Sequence, residues 1–274
     1  MPRTPRLDQV LVERQLADTR SRAKALILAG DVLVNGQKET RAGHPVNPAD
    51  IVSLRSVPRF VSRGGEKLDA ALEAFGIDVS GMVAADLGAS TGGFTDCLLQ
   101  RGASRVYAID VGYGQIDERL RTDEQVIVME RVNARYLEAL PEPVQIVVID
   151  VSFISLDLMF PVVARILDDG EHCVPLIKPQ FEAGRDDVGK GGVVRDPIVH
   201  RLVLTKAIRS AERNGLTIMG LVASPLRGPA GNVEFLADLR KVSPHEDLIS
   251  VNVPDLPDII DAALTAAARG APNQ

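Results

Sequence analysis

Met82-Val83-Ala84-Ala85-Asp86-Leu87-Gly88-Ala89-Ser90-Thr91-Gly92-Gly93-Phe94 runs from an apolar stretch through an acid into three closely spaced glycines. Residues 82–87 read as a buried strand, and Gly88, Gly92 and Gly93 permit a tight turn that a ligand can approach closely. Outward from this stretch the pattern repeats. Apolar runs at 105–109, 126–129, 146–149 and 173–177 read as further strands, with helical segments between them. Such alternation predicts a parallel sheet covered by helices on both faces. Two more strands fit at 217–223 and 233–239, which makes seven in an open, doubly wound sheet. Periodicity does not show whether one of the last pair is antiparallel.

Sheets of this kind bind ligands at the carboxyl ends of their strands, near the topological switch. The second strand ends in Asp110, an acid placed to accept hydrogen bonds from a ribose diol. Asn133 follows the third strand, where it borders an adenine ring or simply faces solvent. Asp150 closes the fourth strand and Lys178 the fifth; Glu234 heads the last, and Lys67 lies on the helix before the first. The glycines do not follow the G-x-G-x-x-G spacing of dinucleotide enzymes. Asp-Leu-Gly-Ala-x-x-Gly-Gly-Phe resembles instead the S-adenosylmethionine loop of class I methyltransferases. That resemblance implies a cofactor site made by Asp86, Gly88, Ala89, Ser90, Gly92, Gly93, Phe94, Asp110, Asn133 and Asp150.

The whole chain carries 31 Lys/Arg against 37 Asp/Glu, a net charge of −6, which by itself argues against nucleic acid. The average conceals a polarity. Residues 1–60 hold ten Lys/Arg and six acids, so this head is +4 and the remainder −10. Arg6-Leu7-Asp8-Gln9-Val10-Leu11 puts Leu7, Val10 and Leu11 on one helical face. Asp18-Thr19-Arg20-Ser21 starts a second helix, with Ala25, Leu26 and Leu28 expected behind it and Gly30 closing it. Val32-Leu33-Val34 enters an Asn35-Gly36 turn, and 51–54 returns as a strand. The segments Arg6-Leu7-Asp8, Thr19-Arg20-Ser21-Arg22 and Ala29-Gly30-Asp31-Val32-Leu33-Val34-Asn35-Gly36 together resemble the S4 RNA-binding module. A helix start carrying Arg20, Arg22 and Lys24 favours phosphate. Ser56-Val57-Pro58 ends the module, and Ser62-Arg63-Gly64-Gly65-Glu66-Lys67 opens a helix with Leu68, Ala71, Leu72 and Phe75 on its apolar face, stopped by Gly76.

Lys67, Asp150, Lys178 and Glu234 match the Lys-Asp-Lys-Glu tetrad of FtsJ-like ribose 2′-O-methyltransferases. With the S4-like head, Ser62-Arg63-Gly64-Gly65, Asp110-Val111-Gly112-Tyr113-Gly114-Gln115, Lys178-Pro179-Gln180-Phe181-Glu182 and Gly191-Gly192-Val193-Val194, the chain resembles the hemolysin A (TlyA) family from about residue 6 to 239. The resemblance implies transfer of a methyl group from S-adenosylmethionine to cytidine 2′-hydroxyls of ribosomal RNA, in the large subunit and in some members also the small. The chemistry needs in-line positioning and removal of a tightly held proton, but no metal. Lys178 is the candidate base and Lys67 the group that steadies the developing alkoxide, with Asp150 and Glu234 orienting them. Lys178 accepts a proton only when neutral; a second lysine favours that form and the carboxylates oppose it, so their balance stays open. Arg6, Arg20, Arg22, Lys24, Arg59 and Arg63 are the candidate RNA contacts.

The expected architecture is therefore an α/β class I methyltransferase, Rossmann-like with a seven-stranded doubly wound sheet, behind a small α+β S4-like domain. Residues 1–58 form the S4-like domain, 59–63 a linker, 64–241 the methyltransferase domain, and 242–274 a tail. Ile259, Ile260, Ala263, Leu264 and Ala267 mark an amphipathic helix in that tail, expected to pack on the domain. The loop 181–196 either closes over RNA or cofactor or is a disordered connection. No Trp and only ten Phe and Tyr leave little for base stacking, so recognition should rest on phosphates and RNA shape. Cys97 and Cys173 read as core thiols of a reducing compartment. His44, His172, His200 and His245 show no metal-ligand spacing. No signal peptide or membrane span is visible, so a soluble cytoplasmic protein without an evident obligate protein partner is expected. A non-catalytic S4-type RNA-binding protein and a membrane-active cytolysin are the competing readings.

Overall fold

Caps set the ends of the helices. Thr19 Oγ1 accepts from the Arg22 N–H and Ser62 Oγ from the Gly64 N–H, while Gly30 (φ 78°) and Gly76 (φ 68°) terminate those two helices in the left-handed conformation. The computed structural model describes residues 4–17, 19–55, 59–242 and 254–270. Asp18, Ser56-Val57-Pro58 and His245, which the sequence singled out, lie outside the described residues. The chain divides into two units, Met1–Arg59 and Phe60–Gln274.

The first unit contains helices α1 (Leu7–Glu13) and α2 (Arg20–Ala29) and strands β1 (Val32–Val34), β2 (Gln37–Lys38) and β3 (Val52–Leu54). The sheet order is β2-β1-β3, with both pairs antiparallel. Val34 pairs with Gln37 across Asn35 (φ 51°) and Gly36 (φ 78°), the two positive φ values that a two-residue hairpin requires. Leu7, Val10, Leu11, Ala23, Leu26, Ile27 and Val32 form its core. Here one expectation fails: Ala25 and Leu28 face solvent, and Ala23 and Ile27 are buried with Leu26. Residues 23, 26 and 27 share one stripe, whereas Leu28 lies about 100° round the helix from Ile27.

In the second unit helix α3 (Arg63–Phe75) precedes β4 (Val83–Leu87), α4 (Gly93–Gln100), β5 (Arg105–Asp110), α5 (Glu118–Arg121) and β6 (Val126–Glu130). Then follow β7 (Val144–Ile149), α6 (Phe160–Ile166), β8 (Leu167–Ile177), α7 (Pro179–Glu182), α8 (Pro197–Arg213), β9 (Leu216–Ala223), β10 (Phe235–Lys241) and α9 (Leu256–Arg269). The seven strands run in the order β6-β5-β4-β7-β8-β10-β9, and β10 is antiparallel to both its neighbours. Strand β8 begins earlier than its apolar run, because Asp168, Asp169 and Glu171 give no hydrophobic signal there.

Alternation along the strands sorts the core into two layers. Ala84, Val106, Ile146, Val148, Val174 and Leu236 pack with Leu68 and Leu72 of α3 and Cys97 and Leu98 of α4. Ala85, Tyr107, Val147, Cys173 and Ala237 pack on the other face with α6, α8 and α9. Residues 60–63, read as linker, are built into this unit: Phe60 is buried against Leu68 and Leu72. The tail helix α9 buries Ile260 and Ala263, with Ile259, Leu264 and Ala267 partly buried beside them. Loop 181–196 is held in place; Asn232, almost wholly buried, accepts the Val194 N–H at 2.9 Å and donates to Gly192 O at 2.8 Å.

Candidate active site

Two glycine pairs bring the start of α3 against the start of α4. A Cβ on Gly93 would lie 2.1 Å from Ser62 Oγ and 3.0 Å from the Gly65 nitrogen, and one on Gly65 would strike the Phe60 ring. Only glycine lets these two helix starts approach so closely, and the approach sets Lys67 beside the carboxyl end of β4. The glycine turn after β4 has a second constraint: Gly88 adopts φ 91°, and a Cβ there would sit 2.8 Å from Asp150 O.

Strand direction assembles the rest. Strands β7 and β8 are parallel neighbours, so Asp150 and Lys178 follow adjacent carboxyl ends. Because β10 runs antiparallel, its amino end meets the carboxyl end of β8, with Phe235 opposite Ile177. Glu234 therefore arrives at the same place as Lys178. Lys178 Nζ lies 2.5 Å from Asp150 Oδ1 and donates to Val151 O at 2.9 Å and Ser152 Oγ at 3.0 Å. Lys67 Nζ donates to Glu234 Oε2 at 2.5 Å. Both lysine side chains are 9% exposed and Glu234 only 1%, whereas Asp150 keeps 26%. Burying two ammonium groups is costly unless each is paired, and each is.

Two clefts meet at Asp150. One, of about 220 Å³, is lined by Ser62, Arg63, Gly64, Lys67, Gly88, Ala89, Ser90, Gly93, Phe94, Asp150 and Pro229. The other, of about 440 Å³, is lined by Gly88, Ser90, Asp110, Asn133 and Asp150 together with apolar Ile109, Val132, Ile154 and Met159. An apolar slot with a few polar groups at its edges suits a nucleoside. Asp110 accepts from the Ser90 N–H at 2.8 Å and the Gly112 N–H at 2.6 Å, which fixes its carboxylate at the cleft and leaves lone pairs for a diol. These features fit S-adenosylmethionine.

Two of the expected cofactor contacts line neither cleft. Asp86 points away from the turn towards α4, fully buried, and accepts from the Thr95 N–H and hydroxyl at 3.0 and 2.7 Å. Burial pushes its carboxyl up to about 7, the charges of Asp150 and Asp110 add to the rise, and the Thr95 hydrogen bonds oppose it. Gly92 caps α4 at φ 93°, where a Cβ would meet Leu120 Cδ1 at 2.2 Å. Both shape the turn from beneath.

The candidate RNA contacts fall into unlike settings. Arg6 and Arg20 both pair with the wholly buried Asp8, at 3.0 and 2.9 Å, while keeping 49% and 54% of their side chains exposed. Burial disfavours the Asp8 charge, but hydrogen bonds from Arg6 and Arg20 win and hold its carboxyl below the usual range. Arg22 and Lys24 are exposed on α2, and Arg59 is exposed at the end of the first unit. Arg63 belongs to the second unit, at the rim of the Lys67 cleft.

Three participants carried no signal of their own in the sequence. Gln180 Nε2 donates to Glu234 Oε1 at 3.4 Å, and Asn232 ties loop 181–196 to the turn before Glu234. Phe153, at φ 64° and 89% exposed, holds its ring 4.8 Å from that of Phe181 at the edge of the Asp150 cleft. No sequence pattern discloses a positive φ at an aromatic residue. Among the described residues no His, Cys, Asp or Glu cluster could hold a metal.

Residues 60–241 match the family model described as FtsJ-like methyltransferase, and residues 5–52 match the S4 domain model. The chain is 46% identical over 244 residues to the 16S/23S rRNA (cytidine-2′-O)-methyltransferase TlyA of Mycobacterium tuberculosis, covering 88% of this chain and 91% of that one. It is 43% identical over 238 residues to Hemolysin A of Brachyspira hyodysenteriae, covering 85% and 98%. A solved structure from Streptococcus thermophilus, described as a hemolysin, superposes with a TM-score of 0.73 at 40% identity, covering 97% of this chain and 96% of that one.

Proposed function

The chain belongs to the FtsJ-like methyltransferase family, in the group of TlyA and Hemolysin A, and on that premise we propose that it methylates the ribose 2′-hydroxyl of cytidine in ribosomal RNA. It is an S-adenosylmethionine-dependent methyltransferase with an S4 domain for RNA. The mycobacterial relative carries both 16S and 23S in its name, so RNA of both subunits is the substrate to assay.

The observation that carries the reading is the junction at Asp150. This carboxylate lines both clefts and holds Lys178, so the acceptor oxygen and the methyl donor share one boundary. S-adenosylmethionine supplies a methyl group already activated on a sulfonium. Asp110 would hold the ribose of the cofactor, Asn133 would border its base, and the backbone of 88–90 would take the methionine end. The 2′-hydroxyl would enter beside Lys178; once the ammonium has passed a proton across its 2.5 Å contact to Asp150, the neutral amine would take the hydroxyl proton as the oxygen displaces S-adenosylhomocysteine from the methyl group, and Asp150 fixes the direction of Nζ. Lys67, held by Glu234, keeps a positive charge near the oxygen as it becomes anionic. The site works in the cytoplasm, where ribosomal RNA is.

The test is to map 2′-O-methylation on unmodified 16S and 23S RNA after incubation with the protein and S-adenosylmethionine. Methylation at defined cytidines, absent without protein, is expected. Cofactor binding without methylation of any ribosomal RNA would instead favour an RNA-binding role. Among the described residues no helix is long and apolar enough to cross a membrane.

A further inference from the structure

Beside the turn that presents Glu234, the second unit holds a cleft of about 490 Å³ that methyl transfer does not use. Arg195 and Arg227 line it on one side, and Leu264, Ala267 and Ala268 of α9 line it on another. Neither arginine meets a carboxylate among the described residues. Arg227 Nη1 donates only a long bond, 3.4 Å, to Gly231 O. Asp196, next to Arg195 in the chain, is turned onto the start of α8, where it accepts the Ile198 N–H at 2.8 Å. His200, buried beneath, sits 3.1 Å from Val194 O, and burial holds its ring towards the neutral form. Two guanidinium groups thus face one concavity with no carboxylate among the described residues in an ion pair with either. Planar guanidinium forks of this kind match the oxygens of a phosphate.

The position of the cleft supplies the second half of the argument. The turn 228–231 is a wall between two clefts: Pro229 lines the one that contains Lys67, and Ala230 and Gly231 line this one. Asn232 fixes the wall to the segment that carries Arg195, through its bonds to Val194 and Gly192. The two arginine-bearing segments are therefore joined before any ligand arrives, which lowers the cost of ordering them. A polynucleotide crossing the wall has a ribose on one side and a phosphodiester on the other.

We propose that this cleft binds a phosphodiester of the RNA strand whose ribose is methylated, with Arg195 and Arg227 on the phosphate oxygens and the α9 wall against the sugar. The proposal rests on the methyltransferase reading above. It is tested with the full chain, using unmodified 23S RNA as probe, by measuring affinity across a salt series and the kinetics of methylation. Arg195→Ala with Arg227→Ala should weaken RNA binding about tenfold and reduce the log–log salt slope by about 1–2. The Michaelis constant for RNA should rise, while turnover at saturating RNA, S-adenosylmethionine affinity and melting temperature stay as in the parent. Lysine at both positions should restore part of the affinity, because it returns charge without the fork. Ala268→Glu, an exposed helical position at the rim, should weaken RNA binding without touching either arginine.

Unchanged RNA affinity and salt slope in the double variant would overturn the proposal. So would binding of inorganic phosphate that is lost in the double variant while RNA binding is not, which would make the cleft a site for free anions. If the parent methylates no ribosomal RNA but the double variant still loses RNA affinity and slope, the phosphodiester site stands and the assigned reaction falls.

Discussion

Asp8 in the first unit is wholly buried while its partners Arg6 and Arg20 keep about half of their side chains in solvent; in the second unit the cations themselves, Lys67 and Lys178, are buried beside their carboxylates. The two clusters use the same kind of charge pair in opposite senses. An acid inside with guanidinium groups outside anchors arginines at one end and leaves their edges to phosphate. An ammonium group inside is withdrawn from water, so its position is dictated by the few acceptors beside it, and its charge is felt strongly by whatever shares the cleft. The first arrangement suits attraction of a polyanion; the second suits chemistry at one oxygen.

The sharpest way to break this contrast is Lys178→Ala. It should reduce methyl transfer by about 10³-fold, while S-adenosylmethionine titration still shows binding, since Lys178 lines neither of the clefts that meet at Asp150. Full turnover by the variant would remove Lys178 from the mechanism.

Asp86 extends the comparison to an acid buried without a cation. Its carboxyl stands at about 7 in the fold against 3.8 in the unfolded chain. Between those values the folded protein keeps a proton that the unfolded chain has released. The contribution to stability is therefore fully present below about pH 3.8 and lost as pH rises through 7. Asp86→Asn should abolish that component, which amounts to roughly 4 kcal/mol at 1.4 kcal/mol per pH unit. Denaturation at a series of pH values, parent against variant, reads it directly; parallel curves would refute it.

Removing the acid from each cluster gives a matched pair. Glu234→Ala leaves the Lys67 ammonium buried and alone, and should cost about 3 kcal/mol in urea unfolding. Asp8→Asn leaves Arg6 and Arg20 free to swing into water, and should cost about 1–2 kcal/mol with RNA affinity kept. Equal losses would mean that exposure of the cation does not govern the cost. The smallest effect is expected from Arg22→Ala with Lys24→Ala on exposed α2: no change in melting, but a shallower salt dependence of RNA binding.

Much of the site was legible residue by residue, and little of it as a set. The acid that ends β5, the acid after β7 and the lysine after β8 each stood out because a charge ending an apolar run is anomalous. Their partnership came from resemblance to a known tetrad. Lys67 and Glu234 lie 167 residues apart, and no local pattern links them. Asn232, in a turn, and Gln180, in the short helix α7, had no signal because an amide side chain looks alike whether it makes a buried contact or faces water.

The chain by itself determined the strands, the caps, the Asn35-Gly36 hairpin and the glycine turn, because each depends on propensities and sterics within a few neighbours. Tertiary structure alone decided the direction of β10, which puts Glu234 beside Lys178, and the rotation of α2, which buries Ile27 and exposes Leu28. It also decided which lysine meets which acid. These are long-range choices, settled by burial of a whole face or by pairing of buried charges, and the free energy of neither is written in a local stretch of sequence.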